Sequence, residues 1–177
     1  MIRYDHKVAF TMDLKSPADG ARLHLMYDWV QSIQGDGPRL DDLLAESTVL
    51  FPRFRKSEVE GFKQFFLKAC PSGELGLSTF ELSARGLTVS GHRVAVTPLA
   101  ELIRLCCIDS LPFGFEWAND LSEFMEGDVA GGACAIFRKQ VQIKSTRSAV
   151  WELVNETDTG KWGHQLDYHS QPWPILD

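Results

Sequence analysis

Six carboxylate side chains lie in one stretch of the sequence that contains no basic residue. No lysine, arginine or histidine occurs between Arg104 and Arg138. The acidic residues of this interval are Asp109, Glu116, Asp120, Glu123, Glu126 and Asp128. They account for the whole net charge of −6, because the other 18 of the 24 acidic residues balance the 18 lysines and arginines. Clustered carboxylates can attract a basic protein or bind a divalent cation.

A basic segment follows directly. Arg138, Lys139, Lys144 and Arg147 place four positive charges in ten residues, with no acidic residue between them. One interpretation is that this segment lies beside the acidic residues and neutralises a solvated rim. The other is that the acidic residues form an exposed patch that binds a basic partner.

The functional prediction is built on the binding interpretation, in which the acidic interval carries the function. Phe124 accompanies the carboxylates of Glu123, Glu126 and Asp128, and these four residues are the predicted contacts. Charged groups speed the encounter with a partner, and apolar groups then hold the complex. The sequence therefore favours a non-enzymatic protein of the inhibitor, immunity or regulatory kind, which binds a protein with a basic surface.

The alternative is a metal-dependent hydrolase. Carboxylates from Glu116, Asp120 and Asp128 would hold the cation, and Lys144 would stabilise developing negative charge. The pattern resembles the acid, acid-x-lysine arrangement of restriction-type nucleases, although Gln142 stands where that family usually has a carboxylate.

Other residues with reactive side chains lack a recognisable pattern. The four cysteines, Cys70, Cys106, Cys107 and Cys134, form no zinc-binding spacing, and we interpret them as buried apolar residues of a protein from a reducing cytoplasm. His164, Asp167 and His169 could bind a metal only if the fold ordered them. We assign no catalytic residue, no metal ligand and no cofactor.

Length and composition limit the class of protein. A chain of 177 residues with 44% hydrophobic residues fits a single globular domain. Its negative charge disfavours general binding to nucleic acids, which are themselves anionic. No run of 18 apolar residues is present, and the charged N-terminus is unlike a secretory signal, so we expect neither a membrane span nor export.

The hydrophobic pattern predicts a mixture of helices and strands. Helices are expected at about 17–34, starting at Ser16-Pro17, from a capping box at Ser57, and from Thr97-Pro98. Shorter helices are expected at 40–46 and 147–156. Strands are expected at 4–14, through 75–96 with turns at Gly86 and Gly91, and at 113–117, 133–138 and 140–144. This order indicates an α+β domain, an antiparallel sheet of about five or six strands with helices on one face.

The C-terminal segment has a different composition. We expect residues 1–160 to form the domain and residues 161–177 to form an extended tail. Trp162 and Trp173 would anchor that tail to the body or bind a partner, because aromatic residues dominate interface energies. A homo-oligomer that exchanges this tail between subunits is a third alternative.

Overall fold

A computed structural model of the chain describes residues 5–32, 56–120, 131–146 and 149. These residues form an antiparallel sheet and helices of an α+β domain, which confirms the predicted fold class. The strands are β1 (Asp5–Asp13), β2 (Leu77–Leu82), β3 (Gly86–Gly91), β4 (Phe113–Asp120), β5 (Gly131–Ile136) and β6 (Val141–Ser145). The helices are α1 (Pro17–Ser32), α2 (Lys56–Ala69) and α3 (Val96–Cys106). The predicted helix at 40–46 lies outside the described residues, and so does the predicted helix at 147–156 apart from residue 149, which is helical.

The helix starts agree with the sequence signals to within one residue. At the start of α1, the Ser16 hydroxyl accepts a hydrogen bond from the Ala18 amide at 3.2 Å, and Pro17 is the first helical residue. Helix α2 begins at Lys56, so Ser57 lies in its first turn and the prediction that the helix begins at Ser57 is wrong by one residue. Helix α3 begins at Val96.

The strand order is β2-β3-β1-β4-β5-β6. Strand β1 pairs with β3 on one side and β4 on the other, and β4, β5 and β6 follow one another as adjacent hairpins. Strands β2 and β6 are therefore the two edges of the sheet that the described residues form. None of the helices in the described ranges combines the length and apolar character that a membrane span requires.

The sheet has one face against the helices and one face without a described helix on it. Side chains alternate between the faces along each strand. The helix face carries Val8, Met12, Leu87, Val89, Phe115, Cys134 and Ile136, all buried in the core. The outer face carries small, hydroxyl and charged side chains: Lys7, Ala9, Thr11, Asp13, Thr79, Glu81, Thr88, Ser90, Glu116, Ala118, Ala133, Ala135, Gln142 and Lys144.

The predicted turns at Gly86 and Gly91 are wrong, because both glycines belong to strand β3. Gly91 is required by packing, since a Cβ atom there would collide with the carbonyl oxygen of Gly76. The expected strand at Val94 and Val96 is also wrong. The chain turns away from the sheet at Arg93, which has a φ of 65°, and both valines are buried in the core from outside the sheet.

Strand β2 contains a bulge. Leu77 pairs with Gly91 and Thr79 pairs with Ser90, so Ser78 is an extra residue in the ladder. A regular strand would place Leu77 on the outer face with Thr79. The bulge instead lets Leu77 pack against the core.

Candidate functional site

The predicted contact residues lie outside the described residues. Glu123, Phe124, Glu126 and Asp128 fall between β4 and β5, and Trp162 and Trp173 fall in the C-terminal segment. Their roles stay predictions. The strands that flank the acidic segment are described, and they fix where it begins and ends.

Asp120 and Gly131, which flank the segment 121–130, lie at the same end of the sheet. Strands β4 and β5 are antiparallel, and Ala118 pairs with Gly131. Next along the ladder, Trp117 pairs with Gly132, and a Cβ atom on that glycine would collide with the Trp117 indole. Trp117 is half-buried and packs on the core. The indole thus covers the base of this hairpin from the helix face.

The other face of the same hairpin presents charge. Glu116 is exposed on the outer face, where it pairs with Ala133 of β5, and Ala133 in turn pairs with Lys144 of β6. One strand therefore separates Glu116 from Lys144, a spacing of about 10 Å between Cα atoms at roughly 4.8 Å per strand. The short side chain of Ala133 therefore lies between the long side chains of Glu116 and Lys144, which have opposite charges.

The residues on this face include some that the hydrolase alternative uses. Glu116, Gln142 and Lys144 do share the outer face. Within the described ranges, no three side chains of histidine, cysteine, aspartate or glutamate are grouped so that they could hold a metal ion. The side chain of Asp120 and the whole of Asp128 lie outside those ranges, so the metal site remains a prediction.

Beside Glu116 the outer face forms a shallow hollow of about 500 Å³. Small residues of β1, β3 and β4 make its floor, and longer polar side chains stand around it. Its lining comprises Lys7, Val8, Ala9, Ser78, Ser90, Gly91, His92, Glu116, Trp117 and Ala118. The hollow opens at the end of the sheet from which the acidic segment leaves.

Opposite charges are separated along this part of the sheet. Arg138 and Lys139 are exposed and follow β5 at the end away from the segment 121–130. Strand β5 is about 17 Å long from its rise of roughly 3.4 Å per residue, and exposed charges are screened beyond a Debye length of about 8 Å at physiological salt. The charges of Arg138 and Lys139 are therefore largely screened from that of Glu116. Lys144 is the described basic residue of this run that lies near Glu116.

The cysteines are buried and free, which supports their interpretation as core residues. Burial raises the pKa of Cys107 to about 12 and the pKa of Cys134 to about 11. Burial likewise raises the pKa of Cys106 well above its ordinary value, and that of Cys70 to a lesser degree. A thiolate is the nucleophilic form of cysteine, so these environments oppose covalent catalysis by the four thiols.

The raised thiol pKa values predict that the protein loses stability in alkali. The unfolded chain releases the Cys107 proton near pH 9.0, whereas the folded protein holds it until about pH 12, so a rise in pH across this window favours unfolding. Each such thiol lowers the free energy of unfolding by about 1.4 kcal/mol per pH unit within its window. Urea unfolding from pH 8 to 11 under a reducing agent measures the slope. The slope should become shallower in Cys107→Ala, and an unchanged slope would contradict the prediction.

A buried group of ionisable residues lies elsewhere, where the start of α1 meets the end of α3. Arg22 forms an ion pair with Asp19, and its Nε donates to the carbonyl oxygen of Cys106 at 2.8 Å. The Ser110 hydroxyl donates to Asp19 at 2.5 Å, and the Asp109 amide donates to the same carboxylate at 3.3 Å. All buried polar side-chain atoms in the described residues have hydrogen-bond partners, so this cluster holds the fold together and is not an open binding site.

Sequence reasoning missed this cluster. In the sequence, Asp19 and Arg22 look like ordinary polar residues near a helix start, and their only local signal is the i,i+3 spacing, which surface ion pairs share.

Comparison of the chain with protein-family models, curated proteins and solved structures finds no match.

Proposed function

We propose that this protein is a non-enzymatic binding protein that presents an acidic surface to a protein partner with a basic surface, as an inhibitor, immunity-type or regulatory protein does. Glu123, Phe124, Glu126 and Asp128 are the proposed contacts. Trp162 and Trp173 are proposed as additional anchors.

The observation that carries the proposal is the separation of charge along the hairpins of β4, β5 and β6. The exposed Glu116 lies in the half of β4 that leads to the acidic segment, while Arg138 and Lys139 lie about 17 Å from it along β5, given the rise per residue of a strand. The alternative explanation is that the basic segment lies beside Glu116 and neutralises it. Lys144 lies one strand away from Glu116, but Arg138 and Lys139 do not, so this explanation accounts for only part of the basic segment.

The physical role of such a surface is to steer a partner and then hold it. Uncompensated carboxylates raise the rate of encounter with a cationic protein, and this effect weakens as salt is added. An apolar residue such as Phe124 adds affinity once the surfaces touch, because buried aromatic side chains are frequent hot spots. The expected complex therefore forms faster at low salt and depends on both kinds of residue.

Charge reversal tests the proposal with a defined basic probe. In Glu123→Lys/Glu126→Lys/Asp128→Lys, the affinity for fluorescein-labelled nona-arginine should fall by about tenfold or more, because three attractive charges become repulsive. Fluorescence anisotropy titrations at several salt concentrations measure the affinity, and the salt dependence should also become weaker in the variant.

A matched variant separates the position of the charge from its amount. Glu58→Lys/Glu74→Lys/Glu81→Lys replaces three exposed acidic residues elsewhere and changes the net charge by the same six units. It should retain most of the affinity. Equal losses in the two variants would show that only net charge matters and would reject the acidic surface as the site. A pull-down from native lysate with the same two variants then selects the partner that distinguishes them.

A further inference from the structure

We propose that the end of the sheet opposite Asp120 and Gly131 binds an extended, acidic segment of a partner protein. Four exposed basic residues form this surface, which we call the basic end: Lys15, Arg85, Arg138 and Lys139. The proposal concerns a different surface from the acidic one and does not depend on it.

Three separate parts of the chain bring these residues to one end of the sheet. Each neighbouring pair of strands is antiparallel, so in the order β2-β3-β1-β4-β5-β6 the strands β1, β2 and β5 all run in the same direction. Lys15 follows the end of β1, Arg85 follows the end of β2, and Arg138 follows the end of β5. The basic end is therefore a product of the sheet topology.

Lys15 and Arg85 share a hollow of about 540 Å³. The Leu14 amide donates to the carbonyl oxygen of Arg85 at 2.9 Å, which holds the end of β1 against the turn between β2 and β3. Its lining comprises Asp13, Leu14, Lys15, Pro17, Ala84 and Arg85. A glutamate side chain suits this lining, because its carboxylate would meet two cations and its methylene groups would contact apolar side chains.

The four cations are available to an anion. All four side chains are exposed, and within the part of the chain that the structure describes none of them takes part in an ion pair or a side-chain hydrogen bond. Exposed charges of one sign attract an oppositely charged partner, and the attraction adds along the row.

An apolar side chain lies next to two of these cations. Phe137 precedes Arg138 and is 40% exposed. Its amide donates to the carbonyl oxygen of Gln140 at 2.9 Å, which closes the turn between β5 and β6. An apolar residue of the partner that packed on Phe137 would remove this ring from water. The expected segment therefore combines several carboxylates with at least one apolar residue.

The width of the basic end sets the length of that segment. The turn between β2 and β3 and the turn between β5 and β6 are four strand spacings apart, about 19 Å at roughly 4.8 Å per strand. An extended peptide advances about 3.3 Å per residue, so about six or seven residues would span the row.

Asp13 favours a peptide over a nucleic acid as the occupant. Its side chain is exposed at the same end of the sheet, where Asp13 pairs with Gly86, and the chain has a net charge of −6. A nucleic acid carries a charged phosphate at every nucleotide, so the carboxylate of Asp13 would repel part of it. A peptide can carry carboxylates opposite the cations and a neutral residue opposite Asp13.

Neutralisation of the cations tests the basic end with a defined acidic probe. The probe is fluorescein-labelled Leu-Glu-Glu-Glu-Glu-Glu-Leu, which has an apolar residue at each end and therefore offers one to Phe137 in either chain direction. Lys15→Gln/Arg85→Gln and Arg138→Gln/Lys139→Gln should each weaken binding by about fivefold, because each removes two attractive charges. Fluorescence anisotropy at low salt measures the affinity, and circular dichroism checks that the variants fold.

A matched variant separates the position of these charges from their amount. Lys63→Gln/Lys68→Gln on helix α2 lowers the net charge by the same two units and should retain most of the affinity. Equal losses in all three variants would show that only net charge matters. A loss confined to one of the two basic-end variants would show that no single segment spans the row. Either result would overturn the proposal.

Two further measurements identify the occupant. A fluorescein-labelled thymidine heptanucleotide should bind about tenfold more weakly than the peptide or worse, and light scattering should give the same mass for the parent chain and Arg138→Gln/Lys139→Gln. Tighter binding of the nucleotide would assign the surface to a nucleic acid, and a dimer that disappears in the variant would assign it to a second copy of the chain. Both results would overturn an acidic partner segment as the occupant. The affinity for nona-arginine should not weaken in either basic-end variant, so the proposals for the two surfaces fail independently.

Discussion

Replacement of Arg22 by alanine should lower the free energy of unfolding by about 3–5 kcal/mol, because it leaves the carboxylate of Asp19 buried without its positive partner. Asp19 is fully buried and Arg22 is 3% exposed, so water cannot take over the lost interaction. The guanidinium also bonds the carbonyl oxygen of Cys106 in the last turn of α3, and that bond is lost with it.

A more exposed pair in the same protein is a matched control. Arg104 and Glu101 form an ion pair with the same i,i+3 spacing on α3, but both side chains are 26% exposed. Arg104→Ala should change the free energy of unfolding by about 1 kcal/mol or less, because water still reaches both charges. Urea denaturation of both variants at neutral pH measures the difference. If the two substitutions had equal effects, burial would not be what makes the Asp19 and Arg22 pair important.

Substitution of Asp19 completes a double-mutant cycle, which measures the coupling between Asp19 and Arg22. Asp19→Ala removes the carboxylate that also accepts hydrogen bonds from Ser110 and the Asp109 amide. The double variant Asp19→Ala/Arg22→Ala should lose less unfolding free energy than the two single variants lose in sum. Each single substitution leaves an unpaired buried charge, and the second substitution removes that charge. Strict additivity would contradict a direct interaction between the two side chains.

Phe66→Ala should cost about 3–5 kcal/mol of stability, the range for a large aromatic side chain removed from a core. Phe66 is fully buried on α2, where its ring lies 6.1 Å from the ring of Trp29 and 5.9 Å from that of Phe62. The substitution leaves a cavity at the contact between α1 and α2, which the neighbouring rings fill only in part.

The adjacent residue supplies the comparison. Leu67 is 45% exposed on the same helix, and Leu67→Ala should change the free energy of unfolding by no more than about 0.5 kcal/mol. Both substitutions leave alanine, which has high helix propensity, so the difference between them reports packing. A loss in Leu67→Ala that approached the loss in Phe66→Ala would mean that this face of α2 is covered in the native protein.

Part of the fold was predictable because side-chain direction repeats within an element. Leu23, Met26 and Val30 recur at helical spacing, and all three are buried on α1. Phe80 and Leu82 alternate with polar neighbours and face the helices. The prediction failed where one residue changes that repeat. Ser78 shifts the register of β2, and no pattern in the neighbouring residues indicates a bulge.

The candidate site likewise combines a feature that the sequence predicts with one that depends on the fold. The acidic interval is visible in the sequence alone. The distance that separates Glu116 from Arg138 and Lys139 depends on how β4, β5 and β6 are arranged, and here the hairpin pattern allowed the strands to be predicted but not their order.

Most of the helices and strands and the uneven distribution of charge are predictable from the sequence, because both depend on residues close together in the chain. The central position of β1, the bulge in β2 and the burial of Asp19 and Arg22 emerge only in the folded chain. The last of these rests on hydrogen bonds between residues 84 to 91 positions apart. Contacts at that separation form only when the whole chain packs, so no local pattern records them.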